Sequence, residues 1–101
     1  MENMTIEKAI NGSELTVSLV GRLDTSTAPM LEAEIREIGP ETKKLILDFS
    51  GLEYVSSAGL RVILAAQKVM SAQGEMSIRK ANGNILEIFA ITGFSEILSI
   101  E

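Results

Sequence analysis

Residues 47–64 read LDFSGLEYVSSAGLRVIL, and the other segments of the chain can be arranged around this strand and helix. The stretch begins as an apolar strand and passes through a loop. It then opens an apolar helix with Ser56, Ser57 and, two residues further on, Gly59. The first N–H groups of a helix lack partners within the helix and point outward. A ligand or a modification at these serines would therefore act directly on the start of the helix.

The segments before this stretch predict a β-hairpin followed by a helix. Apolar and polar residues alternate on either side of Asn11 and Gly12, which favour positive φ and a tight turn. Gly21 is expected to break the second strand. We expect the helix to begin at an N-cap formed by Ser26 or Thr27 and to end at the Gly-Pro pair 39–40.

The remaining elements predict a sheet with helices packed on it. We expect a strand at 45–47, a helix at 58–70, a strand at 76–79, a helix over 85–89 that ends at Gly93, and a strand at 97–100. The order β-β-α-β-α-β-α-β predicts an α/β fold with a mixed, mostly parallel sheet. Asp24, Asp48, Ser56 and Ser57 then lie on strand-to-helix loops, which gather at the carboxyl ends of parallel strands.

The composition restricts the classes of function. A chain of 101 residues predicts a single domain, 1–101. The absence of cysteine and histidine excludes thiol nucleophiles and the usual general base. A net charge of −5 without a basic stripe argues against nucleic acid as a partner. Because we find neither a signal-like start nor a membrane-spanning run, we expect a cytoplasmic protein without membrane insertion.

The two serines admit three interpretations. A serine at a helix start is most often only an N-cap, worth about 1 kcal/mol. Ser57 is alternatively a phosphorylation site, because a helix N-terminus tolerates the added negative charge. A nucleophile is disfavoured, since a nucleophile elbow requires glycine where Val55 stands and the chain has no histidine to serve as base.

Asp24 and Asp48 raise the question of a metal site. Two carboxylates on separate loops are more often turn formers and helix-entry caps than metal ligands. We therefore predict no metal site and no cofactor.

Three motifs resemble the STAS domain family and, within it, the stand-alone bacterial anti-sigma factor antagonists. The first is Gly-Arg-Leu-Asp at 21–24 followed by Thr25, Ser26 and a further threonine. The second is LILDFS at 45–50, and the third and most specific is YVSSAGLRVIL at 54–64. The resemblance extends over nearly the whole chain, since the element order and the spacing between the motifs also fit.

The resemblance implies a phosphorylation-controlled switch of binding partner. In the family, an anti-sigma factor that is also a serine kinase binds this surface, phosphorylates a serine at the start of the second helix and releases the product. The matching serine is Ser57, with Ser56 as the fallback. A serine phosphatase reverses the modification. The implied partner-binding residues are Asp24, Thr25, Ser26, Asp48, Ser56, Ser57, Ala58, Gly59 and Arg61.

Two further expectations follow from the resemblance. The protein is expected to regulate sigma-factor-dependent transcription by binding, not as an enzyme. The alternative is a STAS subunit of a membrane lipid-transport complex, in which the serine is only a helix cap. Family members often continue into another C-terminal helix that is not in this sequence. Without it, apolar surface would be exposed, which leaves open either self-association or a partner that covers this face, and we expect a monomer or a weak dimer.

Overall fold

A computed structural model describes residues 4–101, which form five strands, three α-helices and one 3₁₀ turn. The strands are β1 (Met4–Asn11), β2 (Glu14–Leu23), β3 (Lys44–Val55), β4 (Glu75–Arg79) and β5 (Ser99–Ile100). The helices are α1 (Ala28–Arg36), α2 (Ser57–Ser71) and α3 (Gly83–Thr92), and the 3₁₀ turn is Phe94–Glu96.

The five strands form one mixed sheet in the order β1-β2-β3-β4-β5. β1 and β2 pair antiparallel, and each later pair is parallel. The predicted fold class and element order are confirmed. In the hairpin turn only Gly12 takes a positive φ, +63°, while Asn11 is still part of β1 and pairs with Glu14.

The core lies between the sheet and the helices. Leu45, Leu47 and Phe49 alternate along β3 and are fully buried in one apolar cluster, to which all three helices contribute. α2 provides five buried residues to this cluster, more than α1 or α3. This burial confirms the prediction that the helix after the two serines packs most extensively.

The prediction that Gly21 ends the second strand is wrong. β2 continues through Gly21 to Leu23, and its pairing with β3 shifts register between Gly21 and Arg22. Gly21 has a φ of +114°, which a residue with a side chain rarely adopts. The glycine therefore permits an irregularity within the strand instead of a break.

The third strand is much longer than predicted. β3 does not stop at Leu47 but continues to Val55, so Asp48 lies within the strand and not in a loop. The Asp48 carboxylate accepts a hydrogen bond from the Ser50 N–H at 2.9 Å, next to a register shift in the pairing with β2. Asp48, Ser50 and Gly51 thus mark an irregularity in a continuing strand.

The last predicted strand is shorter than expected. Gly93, with a φ of +83°, ends α3, and the 3₁₀ turn follows directly. The Leu98 N–H donates to the Phe94 carbonyl at 2.8 Å, which keeps the chain turning until β5 begins at Ser99. Ile97 is therefore outside the strand and half-exposed.

Candidate functional site

The ends of β2 and β3 bring two loops together at one edge of the sheet. Leu23 pairs with Val55, the last residues of the two strands. The Ser56 N–H donates to the Leu23 carbonyl at 2.8 Å, which extends the contact beyond the paired strands. The chain leaving Leu23 and the chain leaving Val55 consequently begin side by side. We call the residues 24–26 and 56–58 the rim.

The loop after β2 is held by Asp24. Its Oδ1 accepts hydrogen bonds from the Ser26 hydroxyl at 2.8 Å, the Ser26 N–H at 3.0 Å and the Thr27 N–H at 3.2 Å. These donors, led by the Ser26 hydroxyl, hold the pKa of Asp24 below its ordinary value. Asp24 therefore stabilises the turn, and the hydrogen bonds that it accepts favour its ionised form.

Thr27 occupies the N-cap position of α1, as one of the two predicted choices, but its side chain does not cap the helix. Its buried hydroxyl donates to the Arg22 carbonyl at 2.7 Å and accepts from the Asp24 N–H at 2.8 Å. The Ala28 N–H is satisfied instead by the Asp24 carbonyl, also at 2.8 Å. The threonine thus joins the strand end to the loop and leaves Ser26 exposed on the rim.

The structure distinguishes the two serines. Ser56 is the N-cap of α2, and its Oγ accepts from the Gly59 N–H at 3.3 Å. Ser57 is the first helical residue and is exposed. Within residues 4–101, no protein group forms a hydrogen bond with the Ser57 hydroxyl. One serine therefore serves the helix, while the other presents its hydroxyl to solvent.

Gly59 allows α2 to approach the end of β2. A Cβ at this position would lie 2.7 Å from Leu23 Cγ and 3.0 Å from the Leu23 carbonyl oxygen. Gly59 is itself buried, so its place in the site is to permit close packing and not to present a side chain.

The other two predicted positions on α2 lie near the serines. Arg61 is exposed and stands four residues after Ser57, which places both on the same face of the helix. Ala58 is half-buried. The first turn of α2 carries no acidic side chain.

The prediction that Asp48 lies on the same rim is wrong. Asp48 is near the middle of β3, where it pairs with Ser18 on one side and Arg79 on the other. Its pKa is lowered chiefly by the hydrogen bond from the Ser50 N–H, with smaller contributions from nearby Lys80 and Arg79. Among residues 4–101, no three carboxylates, histidines or cysteines group as a metal site would require.

The sequence did not reveal a further pair beside the rim. Arg22 pairs with Tyr54 across β2 and β3, and its guanidinium lies 4.5 Å from the centre of the tyrosine ring. The Arg22 Nε is also 3.8 Å from Asp24 Oδ2. Both side chains are partly exposed. To find this pair from the sequence, one would need to know the register in which β2 pairs with β3, and that register shifts just before Arg22.

The start of α2 bears a free hydroxyl. The only hydroxyl on the start of α2 that faces solvent without a protein partner is Ser57, in the part of the chain described. Asp24, on the adjacent loop, is already engaged by hydrogen-bond donors. No helix among residues 4–101 has the length and apolar character needed to cross a membrane.

Comparison with known proteins assigns the class. Residues 6–99 match the family model described as "Mlab, STAS domain", and the chain belongs to the STAS domain family. It is 34% identical to BtrV of Bordetella bronchiseptica, a protein named as a candidate anti-sigma factor antagonist, over 96% of this chain and 84% of that protein. It is 23% identical to the anti-sigma-B factor antagonist of Bacillus subtilis, over 97% of this chain and 91% of that protein.

Solved structures share the fold. An anti-sigma factor antagonist from Mycobacterium paratuberculosis superposes with a TM-score of 0.84 at 22% identity, covering 96% of this chain and 84% of that one. The phosphorylated form of the Bacillus cell fate determinant SpoIIAA superposes with a TM-score of 0.76 at 16% identity, covering 96% and 91%. The similarity confirms the α/β architecture.

Replacing Gly59 tests the close contact between α2 and β2. We expect Gly59→Ala to lower the free energy of unfolding by about 1–2 kcal/mol, because the clash with Leu23 outweighs the helix propensity gained. Urea unfolding measures the change. Gly83→Ala is the matched control, since Gly83 also lies in the first turn of a helix and an added Cβ there meets nothing within 4 Å. Equal stability changes in the two variants would contradict the packing role.

Acid sensitivity tests the Asp24 loop. Because the pKa of Asp24 is lowered in the folded protein, its contribution to stability is present above the ordinary aspartate pKa of about 3.9 and is lost as the pH falls through the lowered value. Urea unfolding of Asp24→Asn should thus show a deficit at neutral pH that shrinks in acid. Glu87→Gln, at an exposed position on α3, should show no such trend. A deficit independent of pH would contradict the assignment.

Proposed function

We propose that the protein is an anti-sigma factor antagonist whose binding to an anti-sigma factor serine kinase is controlled by phosphorylation of Ser57. The unphosphorylated protein occupies the kinase and so frees a sigma factor in the cytoplasm. Phosphorylation releases the kinase, and a serine phosphatase restores the binding form. The observation that carries the proposal is the exposed Ser57 hydroxyl beside a capping Ser56.

The hydrogen bonding favours Ser57 over Ser56 as the acceptor. A kinase must reach the hydroxyl and draw it into its own active site. Ser56 is half-buried and would have to break its cap to Gly59, at a cost of about 1 kcal/mol. Ser57 is exposed and has no such bond to break.

The fold is suited to carry the phosphate. The first turn of α2 has no acidic side chain, so the positive end of its dipole is not yet compensated. A phosphate on Ser57 brings about −1.5 to −2 charges to that position and stabilises the helix start. The modification therefore changes the surface while the domain remains folded. SpoIIAA, with a similar fold, has been solved in phosphorylated and unphosphorylated forms.

The partner surface in this proposal is the rim together with Arg61. The exposed Thr25 and Ser26 and the carboxylate of Asp24 border the serines, since both loops begin at the paired ends of β2 and β3. We add Arg22, stacked on Tyr54, because it places a positive charge beside the rim. Asp48 is outside this surface, and Gly59 contributes through packing.

Binding, not catalysis, is the activity proposed. The sequence has no histidine or cysteine to activate a serine. The relatives BtrV and the Bacillus subtilis protein are named as antagonists, which are regulatory binding proteins. These names support the antagonist over the alternative of a lipid-transport subunit.

Mapping of the phosphate tests the proposal. We incubate the wild type, Ser57→Ala and Ser56→Ala with ATP and the cognate anti-sigma factor kinase, and locate phosphate by tandem mass spectrometry. Wild type and Ser56→Ala should carry phosphate on residue 57, because that hydroxyl is exposed in both. Ser57→Ala should incorporate at least about tenfold less, consistent with the cap that engages Ser56.

The exposed Ser71 at the end of α2 supplies a matched control, and Ser71→Ala should be phosphorylated as the wild type is. Undiminished phosphorylation of Ser57→Ala would reject Ser57 as the acceptor. A wild-type protein that the kinase binds but does not modify would reject the switch itself.

A further inference from the structure

A second surface lies at the other end of the sheet from the serines. A cavity of about 150 Å³ opens between the β1–β2 hairpin and the C-terminal end of α1. β2 begins beside it at Glu14 and ends at Leu23 below the rim. We call this cavity the hairpin groove. Its lining residues are Lys8, Ile10, Gly12, Glu14, Leu15, Glu34, Glu37, Ile38, Gly39, Glu41 and Thr42.

The hairpin groove is strongly acidic. Four glutamates line it, at positions 14, 34, 37 and 41, and Lys8 is the one cation among its lining residues. The Lys8 Nζ lies 2.7 Å from Glu34 Oε1, which leaves three carboxylates without a cationic partner in the lining. The pKa of Lys8 is raised, first by its hydrogen bond to Glu34, then by the charge of Glu34 and also of Glu37.

The end of α1 adds to this negative potential. Glu37 is the C-cap of the helix, and Glu34 lies in its last turn. The last carbonyls of a helix carry partial negative charge, so glutamates there are unfavourable for the helix. Arg36 does not offset them in the groove, because its guanidinium lies 3.5 Å from the Glu32 carboxylate one turn back. Glu34 is engaged by Lys8, whereas Glu37 at the C-cap is unfavourably placed for the helix and has no cationic partner in the groove lining.

Apolar side chains accompany the carboxylates. Ile10 is 79% exposed, and Leu15 and Ile38 line the groove while half-buried. Arginine and lysine side chains complement such a surface, because each joins an apolar alkyl stem to a cationic head. The cavity, at about 150 Å³, has room for the end of such a side chain.

The adjacent strand offers backbone groups to the same ligand. β1 is an edge strand and pairs only with β2 among the described strands. Its outer edge presents N–H and C=O groups to which an extended segment can bind. Lys8 and Ile10 belong both to this edge strand and to the groove.

We propose that the hairpin groove binds an extended basic segment of a partner protein, with an arginine or lysine side chain inserted beside Glu37 and Glu41. The charge complementarity and the apolar walls select a segment in which basic and apolar residues alternate. This contact is separate from the Ser57 surface, so a partner can be held there in either phosphorylation state.

Titration with a model peptide tests the proposal. The probe is the blocked hexapeptide Gly-Leu-Arg-Leu-Arg-Gly, added to ¹⁵N-labelled protein to millimolar concentration while amide shifts are recorded. Saturable shifts should concentrate at Gly12, Gly39 and Thr42. The double variant Glu37→Gln/Glu41→Gln should bind at least about fivefold more weakly, and affinity should fall with added salt. The control peptide carries glutamine in place of both arginines and should bind no more than weakly.

Glu87→Gln combined with Glu96→Gln removes two exposed carboxylates elsewhere and should leave peptide affinity unchanged. An absence of shifts at the groove would overturn the proposal. An equal loss of peptide affinity in both double variants would also overturn it, because it would reveal only general charge attraction. Equal binding of the glutamine peptide would also overturn it. No kinase or phosphate enters the titration, so its failure is distinct from failure of the Ser57 switch.

Discussion

The contact between the end of β2 and the start of α2 is the constraint on which the proposed binding surface depends. Leu23 pairs with Val55, its carbonyl accepts the Ser56 N–H, and its side chain packs where any residue other than Gly59 would place a Cβ. These interactions fix the angle at which α2 leaves the sheet. They also set the first turn of α2 next to the loop of Asp24. These contacts therefore join residues 24–26 and residues 56–58 into one continuous surface.

This arrangement separates structural tasks from the proposed signalling task. Ser56 satisfies a backbone N–H of the helix, and Thr27 ties the neighbouring loop to its strand. Ser57 takes part in neither and stays exposed. A charge added there acts on whatever binds the rim, through repulsion and desolvation, while the helix dipole favours it. A binding protein that must remain folded in both states requires this separation.

Local patterns were sufficient to predict the fold class, the element order and the helix that opens with the serines, because each depends on periodicity and capping within a short window. They failed where pairing with a neighbouring strand overrode a local signal. Gly21 and the polar residues near Asp48 look like strand ends, yet the β2–β3 pairing continues past both with shifts in register. The Arg22–Tyr54 stack and the hairpin groove were missed for the related reason that each joins residues distant in sequence. The difference in solvent exposure between Ser57 and Ser56 likewise depends on how α2 packs against the sheet.

The most direct measurement is the affinity of the cognate anti-sigma factor kinase for this protein before and after stoichiometric phosphorylation of Ser57. Isothermal titration calorimetry with a non-hydrolysable ATP analogue measures both states without further phosphoryl transfer. The account predicts binding of the unphosphorylated protein and at least about tenfold weaker binding of the phosphorylated one, a difference of about 1.4 kcal/mol or more. Equal affinity of a folded, fully phosphorylated protein would contradict it.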